Sequence, residues 1–146
     1  MARLTERRRS QLYGPACARS QLLTCELFGL QVVVHRLLHR HLIHTMRAAH
    51  QAIVDADADH TRPLRIDSYN CRRIAGTTSW SLHARGLAWD VFRTPPGVEP
   101  PGGVYTPTAA LHPAFVAAFE AAGFTWGGRW RRPDRPHFEW PAAPPP

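Results

Sequence analysis

At 146 residues the chain has the length of one domain with a sizeable core, and an apolar content of 44% fits a globular protein. All 18 of its basic residues are arginine and the net charge is +7; the missing lysine reads first as a coding-composition bias, while the charge itself favours an anionic partner, nucleic acid or another polyanionic surface. No stretch approaches the roughly 18 apolar residues of a membrane span, no CxxC pair offers a structural zinc knuckle, and three cysteines, Cys17, Cys25 and Cys71, argue against a complete disulfide framework while leaving one bridge plus a thiol, or three thiols, open.

Residues 1–20 read as a polar arm without periodicity. The arm is basic, but Tyr13-Gly14-Pro15 follows where a signal peptide would need an apolar run. The expectation is therefore a protein that stays cytoplasmic until released. Two β-rich runs, 22–28 and 30–35, flank Gly29 and predict a hairpin. From Arg36 to Asp55, Leu37, Leu38, Ile43, Met46, Ala49, Ile53 and Val54 recur at helical intervals. His39, His41, His44 and His50 ride on that helix, with His35 just before it. The His35/His39 spacing can bind a metal, but no HExxH pattern accompanies it, and a solvated helix face is the preferred reading. Asp55-Ala56-Asp57-Ala58-Asp59-His60 lacks the glycine and the final glutamate of a calcium loop and reads as a polar turn.

Leu64 to Tyr69 alternates like a strand, 71–80 is a loop, and Leu87 to Phe92 is a second strand. A Pro/Gly-rich excursion runs from Thr94 to Pro107. His112 to Ala122 is a short helix, with Pro113 suited to its first turn and Gly123 to its end. A last strand covers His137 to Trp140, leaving a disordered Pro-rich tail at 141–146. The expected organisation is an arm (1–20), one domain (21–140) and the tail.

Two stretches carry the chemistry. Ser81-Leu82-His83-Ala84-Arg85-Gly86-Leu87-Ala88-Trp89-Asp90 places a histidine and a carboxylate seven positions apart. On a helix that separation spans about 10.5 Å, too far for two short side chains on one ion, and on a strand it is farther. The chain must fold back between them, and Gly86 permits it. Asp90 then sits in the following strand, with Trp89 and Val91 facing the core. Asp134-Arg135-Pro136-His137-Phe138-Glu139-Trp140 is the second stretch. Pro136 disfavours helix through Arg135, so Asp134 and His137 meet through a tight turn into a strand, on which His137 and Glu139 share one side and Phe138 and Trp140 the other. Three protein ligands with an open fourth position suit a catalytic zinc. A nearby carboxylate can move the proton of an activated water, and an arginine can hold a substrate carboxylate or developing oxyanion. His83, Asp90, His137, Asp134 and Arg72 could fill these roles.

Ser81-x-His83-x-x-Gly86-x-Ala88-x-Asp90 with the late Asp134-x-x-His137-Phe138 resembles the zinc D,D- and L,D-peptidases of bacterial cell walls. These VanY-like enzymes include D-Ala-D-Ala carboxypeptidases, related dipeptidases and phage L-Ala-D-Glu endopeptidases. Tyr69-Asn70-Cys71-Arg72 and Phe124-x-Trp126-Gly127-Gly128 are also similar, and the resemblance covers roughly residues 60–140. It implies Zn2+ on His83, Asp90 and His137, Asp134 as catalytic base, and Arg72 on substrate or transition state, with the adjacent Arg73 a competitor. It further implies a small α+β domain with a central antiparallel sheet flanked by helices, and zinc ligands on strands and loops.

The resulting expectation is a monomeric zinc hydrolase that cuts an amide bond of the peptidoglycan stem peptide, as an endolysin-like L-Ala-D-Glu endopeptidase or as a D-alanyl-D-alanine carboxypeptidase. A rival from another class is a non-catalytic zinc-binding domain, as the similar metal site of the hedgehog signalling domain illustrates. A nucleic-acid partner rests on charge alone and is not expected. Glu139 reads as support that orients a ligand. Trp80, Trp126 and Trp130 line a groove or pack in the core; Arg129, Arg131 and Arg132 meet anionic peptidoglycan or form a solvated turn.

Overall fold

The computed structural model describes residues 3–94 and 110–146. Most of the Pro/Gly-rich excursion lies outside them. The chain folds as an α+β domain in which two antiparallel sheets pack with three helices. The predicted hairpin is β1 (Leu22–Leu27) and β2 (Leu30–His35), paired from Leu22↔His35 to Leu27↔Leu30. Its two-residue turn, Phe28-Gly29, holds both residues in the left-handed region, the conformation that suits the strands' twist.

A second, four-stranded sheet has the order β3-β4-β6-β5. It comprises β3 (Arg65–Asp67), β4 (Ala88–Phe92), β5 (Thr125–Trp126) and β6 (His137–Glu139). β4 lies in the middle, antiparallel to both neighbours, with Asp67 and His137 opposite Asp90 on either side. Trp89, Val91 and Phe138 are buried on the sheet's inner face, as strand alternation requires. There Trp89 donates its indole N–H to the Val33 carbonyl at 3.0 Å, tying the small hairpin to the central strand.

Helices α2 (His39–Asp55) and α3 (Pro113–Ala121) close the core. α2 buries Leu42, Met46, Ala49 and Ile53, the spacing of an apolar stripe. It begins at His39 rather than Arg36, because His35 to Leu38 form a tight turn in which the Leu38 amide bonds back to the His35 carbonyl. The histidines divide by environment. His44 is exposed. His35 is buried and donates to the Tyr13 carbonyl at 2.8 Å, so it makes no metal pair with His39. His41 bonds the Ala122 carbonyl and stacks on Phe124, and His50 pairs with Asp59 in the polar turn after the helix.

Both ends of the chain make contacts with the body. Glu6–Tyr13 forms α1, capped by the Thr5 hydroxyl. Its apolar contacts come from adjacent Leu12 and Tyr13 at its end and the rest of its attachment is ionic, so no helical stripe marks it. Buried Arg85 pairs with Glu6 at 2.7 Å and bonds the Ser10 hydroxyl and the Gly14 carbonyl. At the other end the Tyr13 hydroxyl donates to the Ala142 carbonyl at 2.7 Å, and Pro145 and Pro146 lie beside His41 and His44 of α2. Of the cysteine alternatives, the one-bridge arrangement holds: Cys17 and Cys71 form a disulfide and Cys25 is a free thiol.

Gly86 sits at a tight point of the fold. Its φ is +66°, and a Cβ there would meet the His35 amide nitrogen at 2.6 Å. Gly86→Ala should lower the unfolding free energy by about 2–4 kcal/mol, from left-handed strain plus overpacking. Urea denaturation should show a lower midpoint with an unchanged slope.

Candidate metal centre and cleft

The candidate site is built from two turns and two strands. Ser81 caps the short 3-10 turn Leu82–Arg85, its hydroxyl accepting the His83 amide at 3.2 Å. That turn buries His83 and aims it at the sheet. The His83 Nδ1–H donates to the Ser68 carbonyl at 2.6 Å, which leaves Nε2 facing Asp90 Oδ2 at 3.4 Å. Across the β4–β6 ladder, His137 Nδ1 lies 3.0 Å from Asp90 Oδ1. His137 Nε2 is held by Glu139 Oε1 at 2.9 Å. One donor atom from each of His83, Asp90 and His137 falls within 4.8 Å of the others, a group that could hold a metal ion.

The donor chemistry fits zinc. Two imidazoles and a carboxylate are ligands of a catalytic site, and each imidazole has its second nitrogen engaged by an acceptor, which fixes tautomer and ring orientation. Electrostatics without the ion point the same way. Burial works against the Asp90 charge, yet hydrogen bonds from His137 and His83 hold its carboxyl well below the usual carboxylate range. Burial alone would lower His137; the flanking Asp90 and Glu139 outweigh it and raise the imidazole to about 9.

A cleft passes over this group. One arm, about 480 Å3, is lined by Val33, Ile66, Ser68, Tyr69 and Asn70. The other, about 250 Å3, is lined by Arg3, Ile74, Trp130, Asp134 and Glu139. Arg72, His83 and Asp90 line both. Arg73 turns aside, its guanidinium 4.1 Å from the Trp80 ring centroid and bonded to the Thr78 carbonyl. Arg72 is thus the member of the pair that reaches the cleft. Asp134 is brought to His137 by a turn in which the His137 amide bonds the Asp134 carbonyl at 3.2 Å. Gly127 underlies that turn: a Cβ there would lie 2.5 Å from the Asp134 carbonyl oxygen. Partial desolvation at the cleft wall and the Asp90 charge push the Asp134 carboxyl upward.

Of the tryptophans, Trp130 packs its ring 5.1 Å from that of His137 and lines the cleft. Trp126 instead packs at the edge strand and donates to the Arg135 carbonyl. Arg129 pairs with Glu120. The sequence reading missed Arg3, whose guanidinium approaches the buried Glu139 carboxylate at 3.4 Å. No motif marks it, since only the docking of α1 brings it there.

The chain is thus an α+β domain with a candidate metal centre at the base of a cleft. Residues 75–140 match a protein-family model described as D-alanyl-D-alanine carboxypeptidase, and this supports the VanY-like family of cell-wall peptidases. The matched region includes His83, Asp90, Asp134 and His137. No curated protein and no solved structure gives a significant match.

Two outcomes are expected for metal binding. Glu139→Gln should weaken zinc about 10–100-fold, read by competition with a chromogenic chelator. Because His137 carries a proton below a pH of about 9 when metal-free, zinc must displace it. Apparent affinity should therefore fall by about tenfold per pH unit on acidification from about pH 8 to about pH 6, with proton uptake or release visible by calorimetry in buffers of different ionisation enthalpy.

Proposed function

We propose that the protein is a zinc peptidase of the peptidoglycan stem peptide, acting as an L-Ala-D-Glu endopeptidase. The observation that carries the peptidase reading is the convergence of His83, Asp90 and His137 in a cleft that Asp134 and Arg72 also line. His83 Nε2, the Asp90 carboxylate and His137 Nδ1 would hold the ion. When bound, zinc supplies Lewis acidity that activates water and polarises the scissile carbonyl. Asp134, at the cleft wall, takes the proton of the attacking water and returns it to the leaving amine. Arg72 pairs with the developing oxyanion or a substrate carboxylate through its planar donors. The ion pair at Glu139 keeps the His137 ring in place while the charge of the site changes.

The endopeptidase reading is supported by the cleft's two arms, which leave room for peptide on both sides of the metal group. A carboxypeptidase releasing the terminal D-Ala is the second reading, favoured by the description of the matched family. A surface charge of +7 suits anionic wall polymers in either case. Among the described residues no helix is long and apolar enough to cross a membrane.

Purified peptidoglycan incubated with the zinc-loaded protein should yield a chelator-sensitive product with a new D-Glu amino terminus by mass spectrometry. Loss of a single terminal alanine would establish the carboxypeptidase instead. No product from several wall types would leave the non-catalytic zinc-binding domain as the reading. Asp134→Asn should retain zinc and lose about 10²–10⁴-fold in turnover, whereas His83→Ala should lose the metal itself.

A further inference from the structure

The rim of the cleft is a loop with almost nothing beneath it. Residues 71–78 are all exposed, so no apolar side chain anchors them in the core. Their hold on the body is sparse. The Asn70 amide bonds the His83 carbonyl at 3.2 Å and the Ser81 amide bonds the Arg72 carbonyl at 2.9 Å. Arg73 and Trp80 stack within the loop itself. The one strong attachment is the Cys17–Cys71 disulfide, next to Arg72 in the chain. Its other end is well fixed: the Cys17 amide bonds the Ala84 carbonyl at 2.8 Å, on the turn that presents His83. The segment before it is anchored by Arg85 to Glu6, Ser10 and Gly14.

We infer that the Cys17–Cys71 bridge is the positioning element of the substrate rim, so that Arg72 and the Tyr69–Asn70 wall are in place only in the oxidised protein. This rests on the peptidase reading above. Asp90 and His137 depend on β4 and β6, and His83 on the buried turn and on the Ser68 carbonyl, which is itself anchored where the Ser68 hydroxyl accepts the Val33 amide at 2.9 Å, so the metal centre survives without the bridge while the substrate side loses its shape. The chemistry is a simple exchange. A dithiol reductant attacks the bridge through a mixed disulfide, Cys17 and Cys71 take up two electrons and two protons as thiols, and the reductant leaves as its own disulfide. An oxidant of the disulfide class reverses it. The protein would then be poorly competent in a reducing cytosol and become competent in an oxidising compartment.

The test compares oxidised protein, protein reduced by a phosphine that does not strip zinc, and Cys17→Ser/Cys71→Ser, all zinc-loaded and in a Cys25→Ser background that prevents thiol exchange. Three readouts are taken: KM and kcat on a stem-peptide fragment, zinc affinity by chelator competition, and amide exchange of residues 69–81. Reduction should raise KM by about tenfold or more, in keeping with the cost of misplacing a positioning group. It should speed exchange across 69–81, leave zinc affinity within about twofold, and reverse on reoxidation. Unchanged KM and exchange would overturn the inference, as would loss of zinc on reduction, which would make the bridge a support of the metal centre. If the oxidised, zinc-loaded protein turns nothing over, the peptidase reading fails, and exchange then decides the bridge alone: faster exchange of 69–81 supports it, and unchanged exchange overturns it.

Discussion

The register between β4 and β6 is the constraint on which the rest depends. Asp90 opposite His137 and Trp89 opposite Phe138 are one fact about the ladder, because strand pleating sends neighbours to opposite faces. Burying Trp89 and Phe138, each contributing about 1.5–3 kcal/mol as large apolar side chains, forces Asp90 and His137 to the other face, side by side. A slip of β4 by one residue would put the Asp90 carboxylate into the core and Trp89 into the cleft. The site's geometry is therefore enforced by apolar packing on the far side of the sheet, not by the attraction of the ligand residues for each other.

That attraction is conditional. In the metal-free protein His137 bridges the Asp90 and Glu139 carboxylates, with His83 Nε2 also facing Asp90, so a cation entering there would meet an arrangement already made. The cost of burying Glu139 is offset by His137 on one oxygen and by Arg3 on the other. This makes the N-terminal segment part of the site's electrostatics. Arg85 does similar work on the other side: by holding Glu6 it pins α1 to the turn that carries His83.

The ligand motif was legible because its chemistry constrains sequence locally. A histidine and an aspartate seven apart can converge only through a fold-back, and Gly86, with a φ of +66° against the His35 backbone, provides it. The alternation Trp89-Asp90-Val91 and His137-Phe138-Glu139 gave the facing of each side chain, and the structure places them so. α2 followed from periodicity, the hairpin from two β-rich runs about Gly29 and α3 from Pro113 and Gly123 at its ends, with the start of α2 three residues late because a turn at His35–Leu38 intervenes. Periodicity had no purchase on α1, whose sequence ERRRSQLY docks through charge and the adjacent Leu12 and Tyr13, which form no helical stripe.

The sequence by itself carried the His83–Asp90 and Asp134–His137 stretches, the fold-back at Gly86 and the core stripe of α2, since each is written in local spacing and local backbone demands, while the α+β class and the candidate ligand set came from the resemblance to a known family. Only the tertiary structure decided which cysteines pair, that Arg72 rather than Arg73 reaches the cleft, that Arg3 lines it too, and that the two chain ends meet at Tyr13 and Ala142. Those features depend on residues far apart in the chain, such as Cys17 and Cys71 or Tyr13 and Ala142, meeting on a surface. No local propensity records such meetings, because their free energy exists only once the core has closed.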